Sequence, residues 1–150
     1  MRRFIKKIIF NWQAQTAHGL HSPFVFQLYC QVLNPHLQKG FQREVIFEEL
    51  KNYFQLPTIY FSQITDEYQK HLIIIDKQNY QLFEMKLDQN PDHFLDSIML
   101  ICQPHTEINT FWTKLIQHPK VNFSIDIFEL GIITTKYIAP NQSFKLKKLS

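Results

Sequence analysis

Glycine is scarce in this chain. Among 150 residues there are three, Gly19, Gly40 and Gly131, and no two stand close enough to form GxG, GxGxxG or GxxxxGKS/T. A loop that cradles a pyrophosphate or a cofactor nucleoside needs glycine, so that backbone can approach the ligand and turn tightly into a helix N-terminus. No such loop is expected here. Cysteine is scarcer still: Cys30 and Cys102 form no CxxC pair and lie 72 residues apart, which suggests neither a zinc knuckle nor a disulfide framework. A reducing compartment suits both, and the expected location is cytoplasmic. Long apolar runs are missing too. The longest aliphatic run is Leu72–Ile75, far short of the roughly 20 residues that span a bilayer, and Met1–Phe10 holds no apolar stretch of the length a signal peptide needs. Acid is missing from residues 1–43, which carry Arg2, Arg3, Lys6, Lys7, Lys39 and Arg43, whereas residues 44–150 carry ten basic and thirteen acidic side chains.

What is present is apolar and aromatic mass. Hydrophobic residues make up 45% of the chain and aromatic ones 15%, too much for a disordered segment and enough for one packed core of ordinary domain size. A single domain over residues 1–150 is expected, with a helical region at 1–56 and a sheet region at 57–150.

Read as a helix, Phe4–Trp12 gathers Phe4, Ile5, Ile8, Ile9 and Trp12 into one arc of about 140°, with Arg2, Arg3, Lys6 and Lys7 on the other side. The expectation is a terminal helix that packs this arc on its own domain; the alternative is an anchor for a membrane surface or an acidic partner, using residues 1–12. Ser22 and Pro23 read as the N-cap and first position of a helix through Val32. Glu44–Phe54 is helical in spacing and is stopped by Pro57. A short strand at Thr58–Phe61 follows. His71–Asp76 and Ser97–Cys102 are apolar without alternation, as in strands buried on both faces. Between them Tyr80–Leu87 reads as a helix in preference to the return strand of a hairpin. Glu107–Gln117 is helical, with Thr106 as candidate N-cap. Val121–Phe128 and Leu130–Ile138 are joined so tightly that they must pair antiparallel.

The stretch His18-Gly-Leu-His-Ser-Pro-Phe-Val-Phe26 resembles the opening HGxHSPFVF of a bacterial family of class I S-adenosylmethionine-dependent methyltransferase-like proteins, related to O-methyltransferases. Leu72-Ile-Ile-Ile-Asp76, Ser97-Ile-Met-Leu-Ile101, Trp112 with His118-Pro-Lys-Val121, and Ser124-Ile-Asp-Ile-Phe-Glu-Leu-Gly-Ile132 look like successive segments of the same family, so the resemblance covers about residues 12–33 and 71–138. It implies an α/β fold: an incomplete Rossmann-like sheet, similar to the C-terminal half of a class I methyltransferase with its closing antiparallel hairpin, preceded by N-terminal helices. The departures matter. Residues 27–70 are too few for the missing cofactor-binding half, which takes about 60 residues. The family's paired aspartates read Cys102-Gln103 here, and its glycine after the first aspartate reads Lys77.

The resemblance therefore implies a truncated, degenerate methyltransferase-like protein with no cofactor, serving in binding or assembly. An active methyltransferase, binding S-adenosylmethionine only when a partner chain supplies the glycine loop, is one alternative, and a membrane-surface or nucleic-acid adaptor using the basic N-terminus is another. Asp76, Cys102 and His105 are the ligand-binding candidates, since the carboxyl ends of parallel strands form the crevice where open α/β sheets take ligands. No third metal ligand accompanies them. His18, Gly19, His21, Ser22, Pro23 and Phe24 form the N-terminal motif, for which a structural cap is expected before a metal site. Lys136, Lys145, Lys147 and Lys148 lack the aromatic interleaving of a nucleic-acid module. Left unpaired, the flat apolar edge of 72–75 would recruit a second copy or another chain; the internal remedy is the 58–64 region, expected to pair antiparallel because so short a connection leaves no room for a crossover.

Overall fold

The computed structural model describes residues 2–16, 20, 22–62, 68–135 and 142–148. The chain divides into two compact units, residues 1–56 with 145–150, and residues 57–144.

In the first unit, helix α1 (Arg2–Gln13) forms, but it faces the other way from the sequence expectation. Phe4, Ile5, Ile8, Ile9 and Trp12 are all exposed and only Phe10 is buried. Phe10 lies across the helix from that arc, among the basic residues. The helix is held by its end. Gln15 bridges to Leu146, its N–H donating to the Lys145 carbonyl at 2.7 Å while Lys147 N–H donates back to the Gln15 carbonyl at 3.0 Å. Lys147 Nζ reaches the Asn11 carbonyl at 2.9 Å, in the last turn, where a cation suits the helix dipole.

Helix α2 (Pro23–Leu28) opens as its residues dictate, with Ser22 Oγ accepting from Val25 N–H and Pro23 in the first turn. The helical path then runs beyond Val32: a π-helical turn at Tyr29–Leu33 leads into α3 (Asn34–Lys39). Pro35 ought to stop a regular helix, because its ring presses on the carbonyl four residues back. The π turn, in which Asn34 N–H reaches Tyr29 O, opens the path at that point. Helix α4 (Arg43–Phe54) buries Ile46, Phe47 and Leu50. His36 Nε2 meets Glu49 Oε2 at 2.8 Å, tying α3 to α4.

The second unit is built on the sheet. Strands β1 (Thr58–Tyr60), β2 (Leu72–Ile75), β3 (Ile98–Cys102), β4 (Phe123–Asp126), β5 (Leu130–Thr134) and β6 (Gln142–Lys145) lie in the order β1-β2-β3-β5-β4-β6. β1, β2 and β3 are parallel. β5 is antiparallel to both β3 and β4, so β4 runs with the first three. The antiparallel pairing is as expected, and Ile125, Ile127, Ile132 and Ile133 are buried, but the first strand is shorter than the expected Val121–Phe128, since residues 127–129 make the turn; the expected end of the second strand, residues 136–138, lies outside the described residues.

The 72–75 edge is taken by β1, but in parallel, with Thr58 opposite Leu72, which corrects the antiparallel expectation. The dozen-residue requirement for a crossover assumes a helix in the connection. Strands of three and four residues need a return leg of only about 10–13 Å, within the reach of the short connection between them. Helix α5 (Tyr80–Gln89) makes the β2–β3 crossover and α6 (Asn109–Leu115) follows β3. Thr106 does not cap α6: its hydroxyl donates to the Gln103 carbonyl and the helix starts after Ile108. Phe83 and Leu87 of α5 with Phe111, Trp112 and Leu115 of α6 cover Ile73, Ile75, Met99, Ile101 and Ile133 on one face of the sheet. At Gly131 the indole lies so close that an added Cβ would sit 2.6 Å from Trp112.

Candidate functional site

Because β1 to β4 run in one direction, β5 excepted, their carboxyl ends share one end of the sheet. Asp76 follows β2 there and shapes its own turn. Its Oδ1 accepts from Gln78 N–H at 2.8 Å and its carbonyl accepts from Tyr80 N–H at 3.0 Å, leading the chain into α5. Asn79 closes the gap beside it. The Asn79 amide Oδ1 accepts from Asp76 N–H at 2.8 Å while Nδ2 donates to the carbonyl of Phe61, just beyond β1, at 3.0 Å. One side chain thus staples the carboxyl ends of two adjacent parallel strands.

Cys102 ends β3, buried and opposite Leu130 in the ladder. Gln103 turns the chain with a left-handed φ of 51°. Two residues on, His105 Nε2 lies 2.7 Å from Asp126 Oδ2 and its ring stacks on Phe128, with centroids 5.0 Å apart and planes 8° from parallel. Asp126 ends β4 and is 3% exposed. A buried carboxylate needs donors on every side, and it has them: Trp112 Nε1 donates to Oδ2 at 3.1 Å and Phe128 N–H to Oδ1 at 2.9 Å. With the Asp126 carboxylate accepting, Nε2 is the ring nitrogen that donates.

The three candidates therefore separate. Asp76 and Cys102 stand at neighbouring strand ends, since Ile75 is opposite Ile101 in the register. His105 pairs with Asp126, not with Asp76. A histidine oriented by a carboxylate is the base half of a nucleophile–base arrangement, but here the carboxylate also carries the indole and a backbone N–H, which makes it a packing node. Among the described residues no group of three or more His, Cys, Asp or Glu is placed to hold a metal ion. Of the N-terminal motif, Ser22, Pro23 and Phe24 begin α2, the Phe24 ring lying 6.2 Å from that of Phe54. His18, Gly19 and His21 lie outside the described residues.

At the other end of the sheet, Ile116, Val121, Phe123, Ser124, Gln142 and Ser143 line a shallow pocket of about 90 Å³. Gln142 Oε1 is buried there without a hydrogen-bond partner. Asn79, Asp126 and Trp112 were not singled out as site residues by sequence reasoning. A signal existed for Asp126: a lone carboxylate inside the apolar run FSIDIF must either face water or find a partner. No protein-family model matches the chain, and neither a curated protein nor a solved structure matches it significantly.

Proposed function

We propose that this chain is a methyltransferase-like protein whose role is binding or assembly rather than group transfer, on an incomplete Rossmann-like sheet. The strand arrangement supports the kinship: two parallel strands joined through α5, followed by a hairpin whose second strand, β5, inserts antiparallel between β3 and β4. That is the pattern the resemblance implies for the C-terminal half of a class I methyltransferase. A strand, β1, paired parallel to β2 on the side away from β3 is compatible with a shortened sheet of that kind.

The observation that carries the non-catalytic reading is the Asn79 staple. In an open α/β sheet the crevice between strand carboxyl ends receives the ligand; in this chain the Asn79 amide fills it, bonded to Asp76 N–H and the Phe61 carbonyl. These residues do not fit S-adenosylmethionine. A nucleoside entering there would displace both bonds and leave polar groups unpaired, at about 1–3 kcal/mol each. Calorimetric titration of the protein with S-adenosylmethionine tests the reading: no binding heat is expected at millimolar ligand, and a micromolar dissociation constant would overturn it.

A further inference from the structure

The apolar arc of α1 is the most exposed apolar surface on a described element. Trp12 is 86% exposed, Phe4 70%, and Ile5, Ile8 and Ile9 between 42% and 52%. The opposite side of the helix is the side that is fastened. Phe10 is buried, and the Lys147 ammonium and the Gln15–Leu146 bridge hold the helix end, so the arc is kept turned outward. Arg2, Lys6 and Lys7 are exposed within about 60° of the arc's edges and Arg3 is exposed on the far side beside Phe10, and Lys145, whose Nζ donates to Gln13 Oε1, adds a cation at the far end. No acid occurs in residues 1–43.

We infer that α1 is an interfacial helix that docks this protein on an anionic lipid surface. At 12 residues it is about 18 Å long, too short to cross a hydrocarbon core of about 30 Å but sufficient to lie in the headgroup plane. Its chemistry is the one that environment selects: isoleucines and phenylalanine for the acyl boundary, tryptophan at headgroup depth, and arginine and lysine flanks for the phosphates. A second copy of the helix is a poor occupant, because it would bring one basic helix, with no acidic residue of its own, against another. This inference does not depend on the methyltransferase reading.

Co-sedimentation with vesicles of phosphatidylcholine, with and without phosphatidylserine, tests it, together with Trp12 emission. Trp112 is buried, so a blue shift on adding vesicles reports Trp12. Binding and a blue shift are expected with phosphatidylserine at low ionic strength and not with phosphatidylcholine alone. Ile5→Asp with Ile9→Asp should reduce binding by at least about a hundredfold without changing the melting temperature, since both side chains are exposed. Replacing Arg2, Lys6 and Lys7 with Gln should weaken it by about fivefold per cation removed. Failure of the parent protein to sediment with anionic vesicles would overturn the inference. So would equal binding to phosphatidylcholine alone, or binding that survives both aspartates. A reversible dimer dissolved by the aspartates, in a protein that ignores vesicles, would make the arc a self-interface instead and overturn it too.

Discussion

Ile5, Ile8 and Ile9 on α1 and Ile73, Ile74 and Ile75 on β2 are the same side chain in opposite solvents. The first three are exposed by between 42% and 52%, and the second three are buried. Both segments read as apolar in sequence, and only their neighbourhood separates them. β2 is flanked by β1 and β3, and α5 and α6 cover the Ile73 and Ile75 face, so the burial of each isoleucine is over-determined. Among the described residues, what holds α1 includes buried Phe10 and the hydrogen bonds at its end, which lie away from the arc's side chains. An apolar pattern says which residues share a face; which way the face turns is decided by what the rest of the element grips.

That contrast can be put to measurement. Ile73→Ala should have the largest effect, about 2–5 kcal/mol of lost stability by denaturant unfolding, because a cavity opens beneath α5 and α6. Gly131→Ala should come next, at about 1–3 kcal/mol, since its methyl would meet the Trp112 ring at 2.6 Å and force the indole off Asp126. Asp126→Asn should cost a similar or slightly smaller amount, about 1–3 kcal/mol. The amide offers one acceptor where the carboxylate serves His105, Trp112 and the Phe128 N–H, so a donor is left unpaired. Near-UV circular dichroism of the tryptophans should register the last two as a change in indole environment. Ile9→Ala should be the smallest, within about 0.5 kcal/mol, as for any exposed position. A large loss there would mean that the arc is covered, and the comparison would collapse.

How much of this was legible beforehand follows the same division. The runs Leu72–Ile75 and Ile98–Cys102 announce themselves because a strand buried on both faces has no polar alternation, and the pairing of β4 with β5 because runs joined so closely at Glu129 permit one direction, although the turn takes three residues where one was expected. α5 was legible from its spacing against a competing strand pattern. The direction of β1 was not, since pairing sense depends on how far the chain must travel back, and the brevity of both strands made that distance small. The continuation past Pro35 was hidden in a π turn, which has no composition of its own. At the strand ends, Asp76 and His105 were legible as polar groups on either side of apolar runs, but their partners were not. Asp126 is joined to His105 across 21 residues, and Asn79, a local partner of Asp76, also reaches the Phe61 carbonyl across 18; these two long-range pairings exist only once the sheet has assembled.

The Gln15–Leu146 bridge carries a consequence for the order of assembly. The helical unit is a discontinuous stretch of chain, with residues 57–144 of the sheet unit interposed between its two parts. During synthesis the helices through Phe54 emerge first, yet the segment that secures α1 is made only after the whole sheet. Until then Gln15 has no strand to pair with and Tyr29, fully buried in the finished protein, lacks the Lys147 carbonyl its hydroxyl bonds. The unit that begins the chain is therefore the last to be finished, and the nascent protein passes through a stage in which α1 is tethered but not yet oriented.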